Sequence, residues 1–236
     1  MAAFDDDAPD LSPGSPTLRP TAFIDSDSPS VIAFAEGAAG DAQRPVDVAI
    51  RLFLAVRDGI RYDPYSISYR PESYRASATL ARGRAYCIPK AVLLAAAARA
   101  RGIPARLGFA DVTNHLATGK LLATLRTTLF AYHGFTELWL EGKWVKVTPA
   151  FNATLCERFG ARPIEFDGRT DAVLQPTDLE GRRFMEYLAD RGHHDDLPLD
   201  DIVRVFNLIY PHLTGPDGEA IMDLRDFEAE AAAEQH

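Results

Sequence analysis

The segment that most constrains the fold begins at Cys87. Ile88-Pro89-Lys90 leads into a run from Ala91 to Ala100 that is rich in alanine and leucine, and Gly102 and Pro104 follow. Proline is tolerated in the first turn of a helix, where its missing N–H would have no partner anyway. The alanines and leucines are strong helix formers, and the glycine and proline stop the run. The spacing predicts a helix that starts directly after the loop Arg82-Gly83-Arg84-Ala85-Tyr86. Its longest apolar stretch, Ala91 to Ala98, falls far short of the roughly 20 residues needed to cross a bilayer.

Around this helix the chain reads as one unit. Residues 1–20 carry Pro9, Pro13, Pro16 and Pro20 among Asp, Ser and Gly, which predicts an extended or disordered segment. Thr21 to Ile24 is expected to be a short strand or arm. Residues 21–236 form a single expected domain, with no internal repeat and no break in composition. Helices are predicted over 31–39 and 45–60, where Val48, Leu52, Ala55 and Val56 recur at helical spacing. Pro64 biases Asp63 toward an extended backbone, and 77–80 reads as a helical turn.

Past the central helix, 105–110 reads as a strand and 111–128 as a polar loop leading into a short helix. Strands over 132–140 and 143–148 are joined at Glu141-Gly142 as a hairpin. Beyond residue 150 come a loop rich in charge, a helix near 178–188 and a closing helix near 200–209.

The net charge of -9 and pI near 5.1 exclude partners that reward basic surfaces, so neither nucleic acid nor an anionic membrane is expected. Oligomeric state has no signature here. The two cysteines, Cys87 and Cys156, are too few for a disulfide framework. The N-terminus is acidic where a targeting peptide would be basic, and a cytoplasmic protein with free thiols is expected. Neither cysteine lies in a zinc-binding spacing, and no phosphate-binding glycine loop is present. No metal or cofactor is expected. His193-His194-Asp195-Asp196 reads as an exposed turn.

Cys87 is the candidate nucleophile. At a helix start it faces unpaired N–H groups and the positive end of the helix dipole, both of which favour thiolate. The same N–H groups can donate to an oxyanion. A cysteine in this position also fits as a small buried hydrophobe. His133 opens a strand in which His133, Phe135, Glu137 and Trp139 alternate to one face, where a base for the thiol would be placed.

Gly83-Arg84-Ala85-Tyr86-Cys87-Ile88-Pro89-Lys90-Ala91, with Arg99-Ala100-Arg101-Gly102-Ile103-Pro104 after it, resembles the cysteine block of the transglutaminase-like superfamily. His133-Gly134-Phe135-Thr136-Glu137-Leu138-Trp139 and the hairpin to Trp144 resemble its histidine block, and Ile60 to Tyr65 the segment leading into the core of bacterial members. The resemblance covers about residues 45–150. It implies a papain-like α+β fold, with the cysteine at the N-terminus of a helix packed on an antiparallel sheet that carries the histidine. It also implies acyl transfer through a thioester at Cys87, with His133 as base, on a peptide or protein amide. Hydrolysis and transamidation both remain open, as does a weak or inactive domain that uses its cleft to bind peptides.

Where the family has an aspartate before a proline, this chain has Thr148. Pairing across the Glu141-Gly142 turn sets Phe135 opposite Thr148 and His133 opposite Ala150, so Thr148 lies on the histidine's face. Its hydroxyl can orient the imidazole but cannot supply a full charge to imidazolium. Asn152, further along, is the second candidate for that role. Tyr62, Tyr86, Asp111, Asn114 and His115 are candidate substrate contacts, the last three as a polar cluster on a loop. Cys156, in a charged setting without a nearby histidine, is expected to be structural.

Overall fold

A helix that is apolar on every side has no face to give to water. In the computed structural model of the protein, Ile88 to Arg99 are all buried. The structure describes residues 8–12, 14–213 and 227–233. In chain order the elements are α1 (Pro29–Ala39), α2 (Pro45–Gly59), β1 (Arg61–Tyr62), α3 (Ala76–Arg82), β2 (Arg84–Ala85) and α4 (Cys87–Ala100). They continue with β3 (Ala105–Asn114), α5 (Gly119–Leu125), β4 (Leu129–Leu140), β5 (Lys143–Val147), α6 (Ala153–Phe159), β6 (Met185–His194), α7 (Leu199–Ile209) and α8 (Phe227–Ala233).

β3, β4, β5 and β6 form an antiparallel sheet in the order β5-β4-β3-β6, while β1 and β2 pair in parallel. α4 lies between two layers: β4 packs along one side of it, and α1, α2 and α3 cover the others. Two devices seat it on the sheet. Thr136 Oγ1 donates to the Ala91 carbonyl at 2.9 Å. A Cβ added at Gly134 would stand 3.1 Å from Ile88 Cα, so the first turn of the helix comes down onto the strand only where the side chain is missing. No helix among the described residues is long and apolar enough to cross a membrane.

A third tie comes from the end of α2. Arg61 N–H, which would continue that helix by bonding to Arg57, donates instead to the Gly83 carbonyl in the β1–β2 pair. The Arg57 carbonyl is left over, as last-turn carbonyls are. Lys90, fully buried one turn into α4, donates from Nζ to Arg57 O at 2.9 Å and also to Ile60 O.

The hairpin forms as expected, with Glu141 and Gly142 at φ 50° and 85°, the left-handed pair that a two-residue turn between strands requires. The register Thr136↔Val147 and Glu137↔Lys146 is the one derived from the sequence. Gly108 faces Phe135 across β3 and β4, and a Cβ at 108 would lie 2.2 Å from the ring. Outside this register several expectations change. β3 runs on to Asn114, so Asp111 and Asn114 belong to a strand rather than a loop. A bulge between Ala110 and Val112 breaks the alternation that would have announced it.

The helix expected near 178–188 is absent; residues from Met185 onward form β6 instead, paired with β3. β6 is an edge strand with most of its side chains exposed, so neither face carries an apolar period. It also takes in His193 and His194, expected in a turn. Thr21 to Ile24 is closed as a turn by Thr21 N–H on Ile24 O, without strand pairing. Residues 1–7 and 13 of the expected extended segment lie outside the described residues. Within its described part, Ser15 and Thr17 are buried, and Thr17 O accepts the Ala105 N–H.

Candidate active site

Cys87 is the first residue of α4, and its sulfur lies where the helix meets β4. The backbone N–H groups of Gly134, Ile88 and Cys87 itself are turned toward it. The Gly134 N–H can reach only because that residue has no side chain to hold the helix off. These donors favour thiolate, but burial outweighs them and pushes the thiol up to about 11. This corrects the sequence expectation that the helix start lowers the thiol pKa. The site is dry enough that desolvation of the anion wins.

His133 sits at an interruption of the pleat. The preceding Tyr132 has φ 55°, and β3 bulges opposite it. While Gly134 and Thr136 face α4, His133 belongs to the alternate set, and after the kink it lines the same cleft as Cys87. The imidazole is 5% exposed, its Nε2 has no hydrogen-bond partner, and burial pulls its pKa down to about 4. At neutral pH the pair is therefore thiol and imidazole, both uncharged.

β5 ends one residue before Thr148, whose N–H donates to Ala172 O. Its Oγ1 is fully buried and lies beside the Tyr187 hydroxyl without a hydrogen bond of regular geometry. Tyr187, on β6, presents its ring edge-on to His133 with centroids 6.3 Å apart, and its hydroxyl accepts the Leu174 N–H at 3.2 Å. Tyr187 is thus the side chain that touches both surroundings, Thr148 and His133. Sequence reasoning missed it because the strand that carries it was read as helix.

Asn152 is engaged elsewhere. Its Oδ1 accepts the Tyr62 N–H at 3.2 Å and its Nδ2 donates to Thr154 Oγ1 at 2.6 Å, tying the start of α6 to β1. The Nε2 of His133, having no partner, is not held by it. Among the candidate contacts, Tyr62, Tyr86 and Asn114 line the cleft. The Tyr86 hydroxyl is spent on Tyr74 at 2.8 Å, and Asn114 Oδ1 accepts the Leu116 N–H.

Asp111 is occupied by Arg191 and the Tyr132 N–H, so it braces the kink before His133 rather than meeting a substrate. His115 pairs with Glu186 and does not line the cleft. Cys156 is buried in α6, its thiol also pushed up to about 11 by burial.

Two labelling results follow from these positions. In the native protein iodoacetamide should modify Cys87, which opens on the cleft, faster than Cys156, which is 2% exposed. Denaturation should bring the two rates together. With the thiol near 11, the Cys87 rate should climb about tenfold per pH unit from pH 7 to 9, because thiolate is the reacting form. A plateau near neutrality would show a preformed thiolate instead.

No curated protein matches the chain. Among solved structures it is similar to a putative cysteine protease from Cytophaga hutchinsonii. The identity is 19% and the TM-score 0.47, over 77% of this chain and 46% of that one. The chain thus spans less than half the length of that protein. The family model of the transglutaminase-like superfamily matches residues 32–149, half of the chain. That stretch includes the cysteine helix, both strands of the hairpin and the position of Thr148. With the α+β arrangement of a cysteine-bearing helix on an antiparallel sheet, the chain belongs to the transglutaminase-like superfamily.

Proposed function

We propose that the protein is a cysteine-dependent acyl-transfer enzyme acting on amides, by hydrolysis or transamidation. The observation that carries this reading is the shared cleft. Cys87 and His133 both line it, and three backbone N–H groups converge on the sulfur. The Cys87 sulfur attacks the amide carbonyl carbon while its proton passes to His133. The carbon–nitrogen bond breaks, and the amine leaves with that proton. Water or a second amine then opens the thioester, with His133 as base. Because both groups rest uncharged, proton transfer accompanies the attack rather than preceding it. The N–H groups beside the sulfur are suited to receive the oxyanion.

The test is the mass of the protein after mixing with p-nitrophenyl acetate. An acetyl adduct should map to Cys87, be absent from Cys87→Ala, and form about a hundredfold more slowly in His133→Ala. A second reading, a peptide-binding domain with little turnover, is favoured by one observation. Among the described residues no carboxylate bonds His133 in place of the family's aspartate, and His133 Nε2 and Thr148 Oγ1 are both left without hydrogen bonds. That reading predicts no adduct on Cys87 under the same conditions.

A further inference from the structure

Among the described residues, those that line the cleft beside Cys87 and His133 include no lysine, arginine, aspartate or glutamate. Its apolar lining includes Ile67, Val112, Leu121, Leu125, Phe130 and Phe206. Several of the polar groups that reach it are already engaged within the protein. Tyr86 is tied to Tyr74, Asn114 to the Leu116 N–H, and the Tyr210 hydroxyl to Leu129 O and the Ala131 N–H. A charged or strongly hydrated group placed here would lose its water and find few replacements. The cavity volume is about 60 Å³. Apolar cavities that hold benzene are about 150 Å³, so this one is too small for an aromatic ring.

Resting on the proposed thioester chemistry, we infer that the cleft takes a short aliphatic acyl group of a few carbons as the part of the substrate that stays on Cys87. The leaving amine and the incoming acceptor must exchange with solvent during turnover, whereas the acyl chain remains on the sulfur through both half-reactions. A narrow apolar cleft beside the nucleophile suits the group that stays. The substrate class is therefore an amide or ester of a short, uncharged aliphatic acid, in contrast to an acidic or polar acyl group.

The experiment uses p-nitrophenyl esters of straight-chain acids from two to ten carbons, with the monoester of succinic acid as a charged arm. Nitrophenolate release is read against Cys87→Ala as background, and the acyl adduct is mapped by mass spectrometry. In the covalent step the sulfur–carbon bond forms, the ester carbon–oxygen bond breaks, the thiol proton passes to His133, and nitrophenolate leaves. The expected result is a rise in kcat/KM of about fourfold per added methylene up to about four carbons. A fall of at least about tenfold should follow by eight carbons, as the chain overfills the cavity.

Ile67→Ala and Phe130→Ala remove half-buried wall residues and should move the optimum to chains about two carbons longer. Adduct on Cys87 without a chain-length optimum, a preference for the succinyl ester, or an optimum that neither variant moves would overturn this inference while leaving Cys87 as nucleophile. No adduct on Cys87 from any ester would overturn the inference together with the reading beneath it.

Discussion

Replacing Lys90 by alanine should destabilise the protein by about 3–5 kcal/mol, a large share of the stability of a domain this size. Lys90 is fully buried, and its Nζ donates to two carbonyls at the end of α2 that have no helical successor to accept from. Alanine leaves those carbonyls unsatisfied and opens a cavity. Lys90→Met keeps most of the volume and removes a buried charge, so its loss should be smaller, about 1–3 kcal/mol.

The pH dependence identifies the cause. Burial lowers the Lys90 pKa from 10.5 to about 7. Above pH 7 the unfolded chain therefore holds a proton that the folded protein does not, and stability rises with pH by up to about 1.4 kcal/mol per unit. From about pH 8 upward the raised thiols act in the opposite direction. The folded protein keeps protons on Cys87 and Cys156 that the unfolded chain releases, so the window to use is pH 7 to 8. Urea midpoints at both ends should rise for wild type and stay nearly level for Lys90→Met. A level wild-type profile would remove Lys90 from this role.

Lys90 also shows where sequence reading stops. The helix that carries it was legible because Pro89, the alanine run and Gly102 each act locally, within a turn of their own position. That its amine caps another helix was not legible, since the partner carbonyls are 30 and 33 residues away. The hairpin was legible for the same local reason: Glu141-Gly142 fixes the turn, and the turn fixes the register as far as Val147. β6 was not, because an edge strand exposed on both faces has no period to betray it. Tyr187 went unread with it, and so did the neutral surroundings of His133. Asn152 has the chemistry to orient an imidazole, but its amide is spent on Tyr62 and Thr154.

Introducing an acid at the position where this chain departs from its family gives the second large effect. In Thr148→Asp a carboxylate that reaches the imidazole past Tyr187 should raise the His133 pKa from about 4 by roughly 1–3 units, since a nearby opposite charge favours imidazolium. Imidazolium in turn favours the thiolate of Cys87, so the rise in alkylation rate should move to lower pH. The Cys87 rate at pH 7 should increase about tenfold or more.

Tyr187 is the competing partner, because its hydroxyl already lies beside residue 148. If the new carboxylate accepts from Tyr187 instead, adding Tyr187→Phe should release it and enlarge the shift. Curves for Thr148→Asp and the double variant that both overlay wild type would exclude residue 148 from the electrostatics of the site. A buried carboxylate that finds neither partner would instead appear as lost stability, which the same samples report by thermal unfolding.

The enclosure of α4 bears on how such a protein can change its activity over time. From Ile88 to Arg99 the helix has no position open to solvent, so there is no site on it where a larger or charged residue could be accepted cheaply. Drift in substrate preference is therefore closed to the element that carries the nucleophile. It is open on the half-buried rim, at Ile67 on the loop before α3 and at Phe130 near the start of β4, and along the exposed edge strand that holds Tyr187. A lineage built on this scaffold would keep its cysteine helix nearly fixed and diversify by rewriting the residues that look down on it.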